Sequence, residues 1–263
     1  MAVPIEPKQR PSKVRSVYKH NLEEEMIRIS HLIDDFPFVS MDTEFPGVVH
    51  ARTSRAADEC YRILKKNVDD LKLIQLGLTL SDASGRVAGV WEFNFADFDA
   101  ASDLQSAPSI DLLRRHGIDF ERNLAEGVEA VRFAELAMSS GLACNGDVTW
   151  IAFHGSYDFA YLVKVLSQRR LPEEPEGFFE AMRAFFPRFV DVKRMCCEGG
   201  VHGGLDRVAD AAGVCRTVGG KHQAGSDSLL TSDVYWRLSE MCFPAVDRHV
   251  GVLFGLEKFC YSY

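Results

Sequence analysis

Asp42 and Glu44 close an apolar run, Phe38-Val39-Ser40-Met41-Asp42-Thr43-Glu44-Phe45-Pro46-Gly47. Val39, Met41 and Thr43 alternate with Ser40, Asp42 and Glu44, which is the period of a strand, so the two acids share one face. Like charges that close repel, and burial worsens the repulsion. Such a pair at the end of a core strand points to a divalent cation. The plain alternative is two solvated strand-end carboxylates.

Two more acids stand where apolar residues belong. A helix from Tyr157 carries Tyr161, Leu162 and Val165 on one stripe, and Asp158 falls on that stripe. A helix from Ser226 carries Leu230, Val234, Leu238 and Met241, and Asp227 is again in line. Both acids lie in a first turn, where the helix dipole favours negative charge, but the dipole alone does not require them to face inward. Four inward carboxylates cannot converge in an apolar setting without protonating or binding metal. Oxygen ligands suit Mg²⁺ or Mn²⁺ rather than zinc. Two such ions about 3.5–4 Å apart serve in-line displacement at phosphorus, one holding the attacking water and the other steadying the leaving 3′ oxygen. His222, in Lys221-His222-Gln223-Ala224-Gly225-Ser226-Asp227, can overhang that site from a glycine-bearing loop. A neutral imidazole near pH 7 can take a proton from the attacking water. Phe45, beside Glu44, and Tyr157, beside Asp158, offer faces on which a purine can stack. His154 and His202 read as structural, Asp191 as a strand-end acid and Lys221 as a solvated lysine.

The elements that must position these residues follow from periodicity. Leu22, Met26, Ile29 and Ile33 mark an amphipathic helix, and residues 37–43 form the first strand. A helix over 56–69 precedes strands over 71–80 and 90–95, joined by the turn Asp82-Ala83-Ser84-Gly85. At least one of these pairings is antiparallel. A loop over 97–108 leads to a helix over 119–140 with Leu124, Val128 and Val131 on one face. A strand over 148–153, the helix from Tyr157, a helix over 172–187 and a short strand at 189–192 come next. Helices over 226–242 and 246–256 complete an α/β chain, a mixed sheet flanked by helices in a single domain over 18–263. Residues 1–17, polar and proline-bearing, read as a flexible N-terminal arm, and the one basic cluster, Lys8, Arg10, Lys13, Arg15 and Lys19, lies along it.

Composition narrows the classes. The 263 residues are 46% hydrophobic, enough for one sizeable core. A net charge of −8 excludes a general duplex binder, so any contact with nucleic acid is confined to a cleft. Seven scattered cysteines without a Cys-x-x-Cys argue against a disulfide framework and a zinc ribbon, and for a reducing compartment. The N-terminus lacks the apolar core of a signal peptide, and no stretch is apolar enough to cross a membrane. A cytosolic or nuclear protein is expected.

Three strings are similar to the exonuclease motifs of the CAF/POP deadenylases, the RNase D-like nuclease subunits of the Ccr–Not complex. They are Met41-Asp42-Thr43-Glu44-Phe45-Pro46-Gly47, Phe153-His154-Gly155-Ser156-Tyr157-Asp158-Phe159 and the stretch from His222 to Thr231. The resemblance runs from about residue 19 to about 256. It implies an RNase H-like fold and 3′→5′ removal of mRNA poly(A) tails with release of AMP. It also implies Asp42, Glu44, Asp158 and Asp227 as ligands of two Mg²⁺ or Mn²⁺ ions, and His222 as the catalytic histidine. Single-stranded poly(A) RNA, the Not scaffold and a leucine-rich-repeat deadenylase subunit are the partners it implies. Gly155-Ser156 inverts the Ser-Gly order expected of the family, and residues 196–221 look divergent. The competing readings are a catalytically silent scaffold subunit and a metal-free glycosidase, which would leave two of the acids without a role.

Overall fold

The apolar run that ends in Asp42 and Glu44 is an inner strand of a mixed sheet. The computed structural model describes residues 13–51, 57–198, 200–242 and 248–260. The chain runs β1 (Arg15–Val17), α1 (Leu22–Leu32), β2 (Phe38–Glu44), α2 (Ala57–Asp70), β3 (Gln75–Ser81), β4 (Val87–Asn94) and α3 (Ala107–Arg115). Then come α4 (Phe120–Glu126), α5 (Ala130–Ser139), β5 (Thr149–Ala152), α6 (Ser156–Ser167), α7 (Pro175–Phe185) and β6 (Arg188–Asp191). Last are α8 (Val192–Glu198), α9 (Leu205–Ala212), α10 (Ala224–Cys242) and a short 3₁₀ turn at Glu257–Phe259. Among the described residues the sheet order is β1-β4-β3-β2-β5-β6. β2, β3 and β4 are antiparallel neighbours, while β5 and β6 run parallel to β2 and β1 runs parallel to β4. This is the expected RNase H-like α/β arrangement.

Alternation sorts the side chains between two faces. Val39, Met41, Leu76, Leu78, Trp91, Phe93, Trp150 and Phe189 join one core with residues of α1, α2, α5, α6 and α7. Ile151 and Val190 join a second core with residues of α8, α9 and α10. By the same parity Ser40, Asp42 and Glu44 share the second face with Gly77, Thr79 and Ser81. Helix α10 crosses β2, β3 and β4 there, on a polar surface. The hydroxyls of Thr79 and Ser228 lie 2.8 Å apart, and Trp236 Nε1 donates to Ser81 Oγ at 3.0 Å. Gly225 N donates to Glu92 Oε2 at 3.1 Å. A Cβ on Gly77 would lie 1.8 Å from the Ala224 carbonyl oxygen, so helix and strand meet backbone to backbone. Every residue of β3 is therefore buried, polar ones included.

Several expectations change. The arm expected over 1–17 gives up Arg15–Val17 to β1; residues 1–12, with Lys8 and Arg10, lie outside the described residues. The strand expected over 71–80 starts at Gln75, because Leu71 N still donates to Asn67 O behind α2. The single helix over 119–140 is two. Gly127 is extended (φ −63°, ψ 169°), and the next residue, Val128, bridges to Phe95. Val128 is buried, but Leu124 and Val131 are 47% and 45% exposed rather than sharing its face. Met241 is 62% exposed, so the inward stripe of α10 stops at Leu238. Of the helix expected over 246–256, residues 243–247 lie outside the described residues and 248–256 form no α-helix; Gly251 and Gly255 sit at φ near +80°. α3, α8 and α9 went unread.

Gly77 gives a direct test of the backbone contact. Gly77→Ala should destabilise the protein by about 3 kcal/mol, the upper range for overpacking, as measured by urea denaturation. Gly146→Ala, where a Cβ meets nothing within 4 Å, should stay within about 0.5 kcal/mol of the parent. Equal midpoints for the two variants would refute the close approach of α10.

Candidate active site

The five residues singled out for chemistry come from three elements and one loop. Asp42 and Glu44 end β2. Asp158 sits in the first turn of α6 and Asp227 in the first turn of α10. His222 stands in the loop before α10 at φ 54°, a left-handed conformation that turns the chain back over the helix start. Its main-chain N–H donates to Asp227 Oδ2 at 2.9 Å, which ties the loop to the acid. Ligand atoms of Glu44, His222 and Asp227 all lie within 4.8 Å of one another. Asp158 reaches the group from the other face of the sheet, where the Thr43 hydroxyl donates to its Oδ1 at 2.5 Å.

Burial raises all four acids, and neighbouring charges add to it at Asp42 and Glu44. Burial, then the charges of Asp158, Asp227 and Glu44, push Asp42 well above the usual carboxylate range. Burial and the same neighbours lift Glu44 to about 8. Burial lifts Asp158 to about 7 in spite of the Thr43 hydrogen bond. Asp227 is also raised by burial, with the Arg216 charge opposing. Carboxyls held in this state have few outlets besides protons and a cation. Their oxygen-rich donor set, with one imidazole, fits Mg²⁺ or Mn²⁺.

Around the acids runs a cleft in two parts. A cavity of about 380 Å³ is lined by Asp42, Phe45, His50, His154, Tyr157, Asp158 and Phe254, among others. One of about 480 Å³ is lined by Asp42, Glu44, Asp206, Arg207, His222 and Asp227, among others. Asp42 and Thr43 belong to both. Phe45 and Tyr157 stack on each other, with ring centroids 5.1 Å apart and planes 17° apart. Phe45 also packs 5.0 Å from Tyr161, so the pair joins the core to the cavity wall. Lys221 lines the second cavity and pairs with Asp206 at 3.3 Å.

Sequence reasoning missed several neighbours. Arg216, six residues before His222 in the stretch that looked divergent, pairs with Asp227 Oδ1 at 2.5 Å and Asp206 Oδ1 at 3.1 Å. His116, at the end of α3, meets the His222 ring edge-on at 4.8 Å, and Gln223 Nε2 donates to its carbonyl at 3.0 Å. Neither belongs to a motif, and α3 was itself unread, so no local signal marked them. Asp191 does end a strand, as expected, but it is fully buried and accepts four main-chain N–H groups. These come from His154 (2.8 Å), Gly155 (3.1 Å), Lys193 (3.0 Å) and Phe254 (3.1 Å). Burial raises it to about 6 against those bonds. It holds the turn into α6, with His154 at φ 62°, and so sets where Asp158 stands.

Comparison with known proteins shows the family and the fold. The model of the "CAF1 family ribonuclease" family matches residues 17–138. "Probable CCR4-associated factor 1 homolog 7" of Arabidopsis thaliana is 47% identical over 258 residues, covering 93% of each chain. "Poly(A) ribonuclease pop2" of Schizosaccharomyces pombe is 43% identical over 255 residues, covering 93% of this chain and 75% of the relative. A solved structure of S. pombe Pop2p in an Mg²⁺- and Mn²⁺-bound form superposes with a TM-score of 0.87 at 41% identity, covering 93% of this chain and all of that one. The yeast structure of the NOT1 MIF4G domain co-crystallised with CAF1 gives 0.79 at 32% identity, covering 97% of this chain and 100% of the matched one. With near-half identity along almost its whole length and the same fold, the chain belongs to the CAF1 family ribonucleases.

Proposed function

We propose that the chain is a divalent-metal-dependent 3′→5′ exoribonuclease that shortens mRNA poly(A) tails and releases AMP. The observation that carries this is the grouping of Glu44, His222 and Asp227, with Asp42 and Asp158 near enough for their charges to interact with one another and with Glu44. The four carboxylates would hold two Mg²⁺ or Mn²⁺ ions, which supply positive charge to the phosphate and acidify the attacking water. His222 accepts the proton of that water, and its N–H bond to Asp227 keeps the imidazole beside the acids. The Thr43 hydroxyl aims Asp158. The outer faces of the Phe45–Tyr157 stack offer a surface for the 3′-terminal base, worth about 1–3 kcal/mol per stacked base. Preference for adenine is supported by the poly(A) ribonuclease relative.

A silent scaffold role is disfavoured, because all five residues are present and brought together. Docking to the Not scaffold is supported by the yeast NOT1–CAF1 structure. Docking to a leucine-rich-repeat deadenylase subunit, and a cytosolic or nuclear location, extend the same family reading. Among the described residues no helix is long and apolar enough to cross a membrane.

Activity is tested by digesting single-stranded poly(A), poly(U) and duplex RNA with Mg²⁺, Mn²⁺ or EDTA. Poly(A) should shorten from its 3′ end only with metal, and Asp42→Ala should abolish cleavage without unfolding the protein. Cleavage that persists in EDTA would remove the metal mechanism.

For His222 the expected loss is in turnover. His222→Ala should lower kcat by roughly 10²–10⁴-fold with KM little changed, since a base acts in the transition state. A His222→Gln enzyme within about threefold of the parent, far short of that range, would show that the ring only packs the loop.

Stability should depend on pH in a sign opposite to ordinary acid unfolding. Glu44 (about 8) and Asp158 (about 7) hold protons more tightly when folded than when unfolded. Their contribution is complete at acid pH below the unfolded carboxylate range and is lost as pH rises through 7 to 8. In EDTA the melting temperature should therefore fall as pH rises from about 6 to just above about 8. Saturating Mn²⁺ should flatten that fall, adding about 2.7 kcal/mol per site at a hundredfold excess over Kd. A metal-free melting temperature that rises across this window would contradict the cluster's electrostatics.

A further inference from the structure

Arg216 is placed against the proposed metal site by a set of fixed contacts. Its Nη2 touches Asp227 Oδ1 at 2.5 Å and Asp206 Oδ1 at 3.1 Å. Its Nη1 donates to Ser226 Oγ at 2.6 Å and to the Gly220 carbonyl at 3.2 Å. The side chain is only 15% exposed. Ser226 Oγ in turn donates to the Val218 carbonyl at 2.6 Å, and Lys221 pairs with the far oxygen of Asp206 at 3.3 Å. The guanidinium is thus held on two carboxylates, a hydroxyl and a main-chain oxygen.

Asp227 has both oxygens engaged, Oδ1 by Arg216 and Oδ2 by the His222 N–H. The His222 bond is a main-chain dipole and is compatible with a further ligand on the same carboxylate. The Arg216 contact is different. It is a full positive charge on the oxygen that a cation would seek, and a guanidinium does not lose its proton in a protein. The charge acts beyond Asp227, since it also opposes the raised state of Asp42.

We infer that Arg216 is a resident counter-cation of the site: it neutralises Asp227 when no ion is present and competes with the divalent ion when one arrives. This rests on the metal-site reading above and adds a determinant of affinity to it. The other contacts of the guanidinium, to Asp206, Ser226 and Gly220, keep it nearby when Asp227 turns to the ion. Removing it has two consequences of opposite sign. The metal-free protein loses a charge that offsets four crowded acids, and the ion loses a competitor. A residue that merely braced the acid would, on removal, weaken both.

The test is titration of the full chain, stripped with EDTA and dialysed, with Mn²⁺ alone in a calorimeter, alongside metal-free melting curves. Arg216→Gln should melt lower without metal and bind Mn²⁺ about tenfold more tightly, within the usual range of coupling between two ligands of one site. Arg216→Lys keeps a charge but cannot span all four partners, so it should tighten binding by a smaller factor. It also supplies the comparison if the glutamine variant does not fold. Binding by the variants that is equal to or weaker than the parent's overturns the inference while leaving the metal site standing. A parent chain that takes up no Mn²⁺ overturns the metal-site reading and this inference together.

Discussion

The start of α10 touches β3 main chain to main chain, and the candidate site depends on that contact. Gly77 has no side chain to hold the helix off, and Ala224 presents only its carbonyl. Asp227 follows three residues later, so the close approach of the helix to β3 helps bring Asp227 near Glu44 at the end of β2. Close packing leaves no room for a side chain between Gly77 and Ala224, whereas farther along the helix Trp236 fits against Phe38 and Ser81. Serine, threonine and glycine fill the interface, and hydroxyl pairs such as Thr79 with Ser228 take the place of a greasy layer. The main core is built on the opposite face by α6 and its neighbours, and farther along α10 a second core joins Leu230, Val234 and Leu238 to Ile151 and Val190.

Against that mechanical demand stands an electrostatic one. Four carboxylates in a shielded corner are unfavourable, and the fold moderates them. Asp158 and Asp227 each occupy a helix start, where the N–H groups and the dipole favour negative charge. The Thr43 hydroxyl and the His222 N–H satisfy single oxygens. None of these cancels the burial, which together with neighbouring acids keeps Glu44 at about 8 and is the main reason that Asp158 stays at about 7. The strain lies at the proposed metal site.

Much of this could be read from the chain, for reasons that differ by residue. The acids were legible because they broke a pattern: Asp42 and Glu44 in an alternating strand, Asp158 and Asp227 on apolar helix stripes. What periodicity cannot register is a helix lying on a polar sheet face. The alternation in β3 reads as one wet side, yet both sides are dry. Gly127 was also invisible as a break, because its conformation is extended and serves the bridge between Val128 and Phe95 rather than a turn. Arg216 and His116 reach the site from segments with weak local signals. Their roles exist only in the folded arrangement.

Asp191 ties the end of β6 to the turn before Asp158 and to Phe254, more than sixty residues further along the chain (their hydrogen bond has a sequence separation of 63). Phe254, Gly255 and Leu256 also form part of the cavity wall beside Asp42. These residues are made after every strand of the sheet. Until they leave the exit tunnel, one of the four donors to Asp191 is missing and the cavity lacks a side. Domains generally fold as units as they emerge, but here the sheet can assemble well before its cleft is closed. A nascent chain therefore carries an unfinished cleft after its last strand is made, and the cleft is completed only when Phe254, Gly255 and Leu256 emerge.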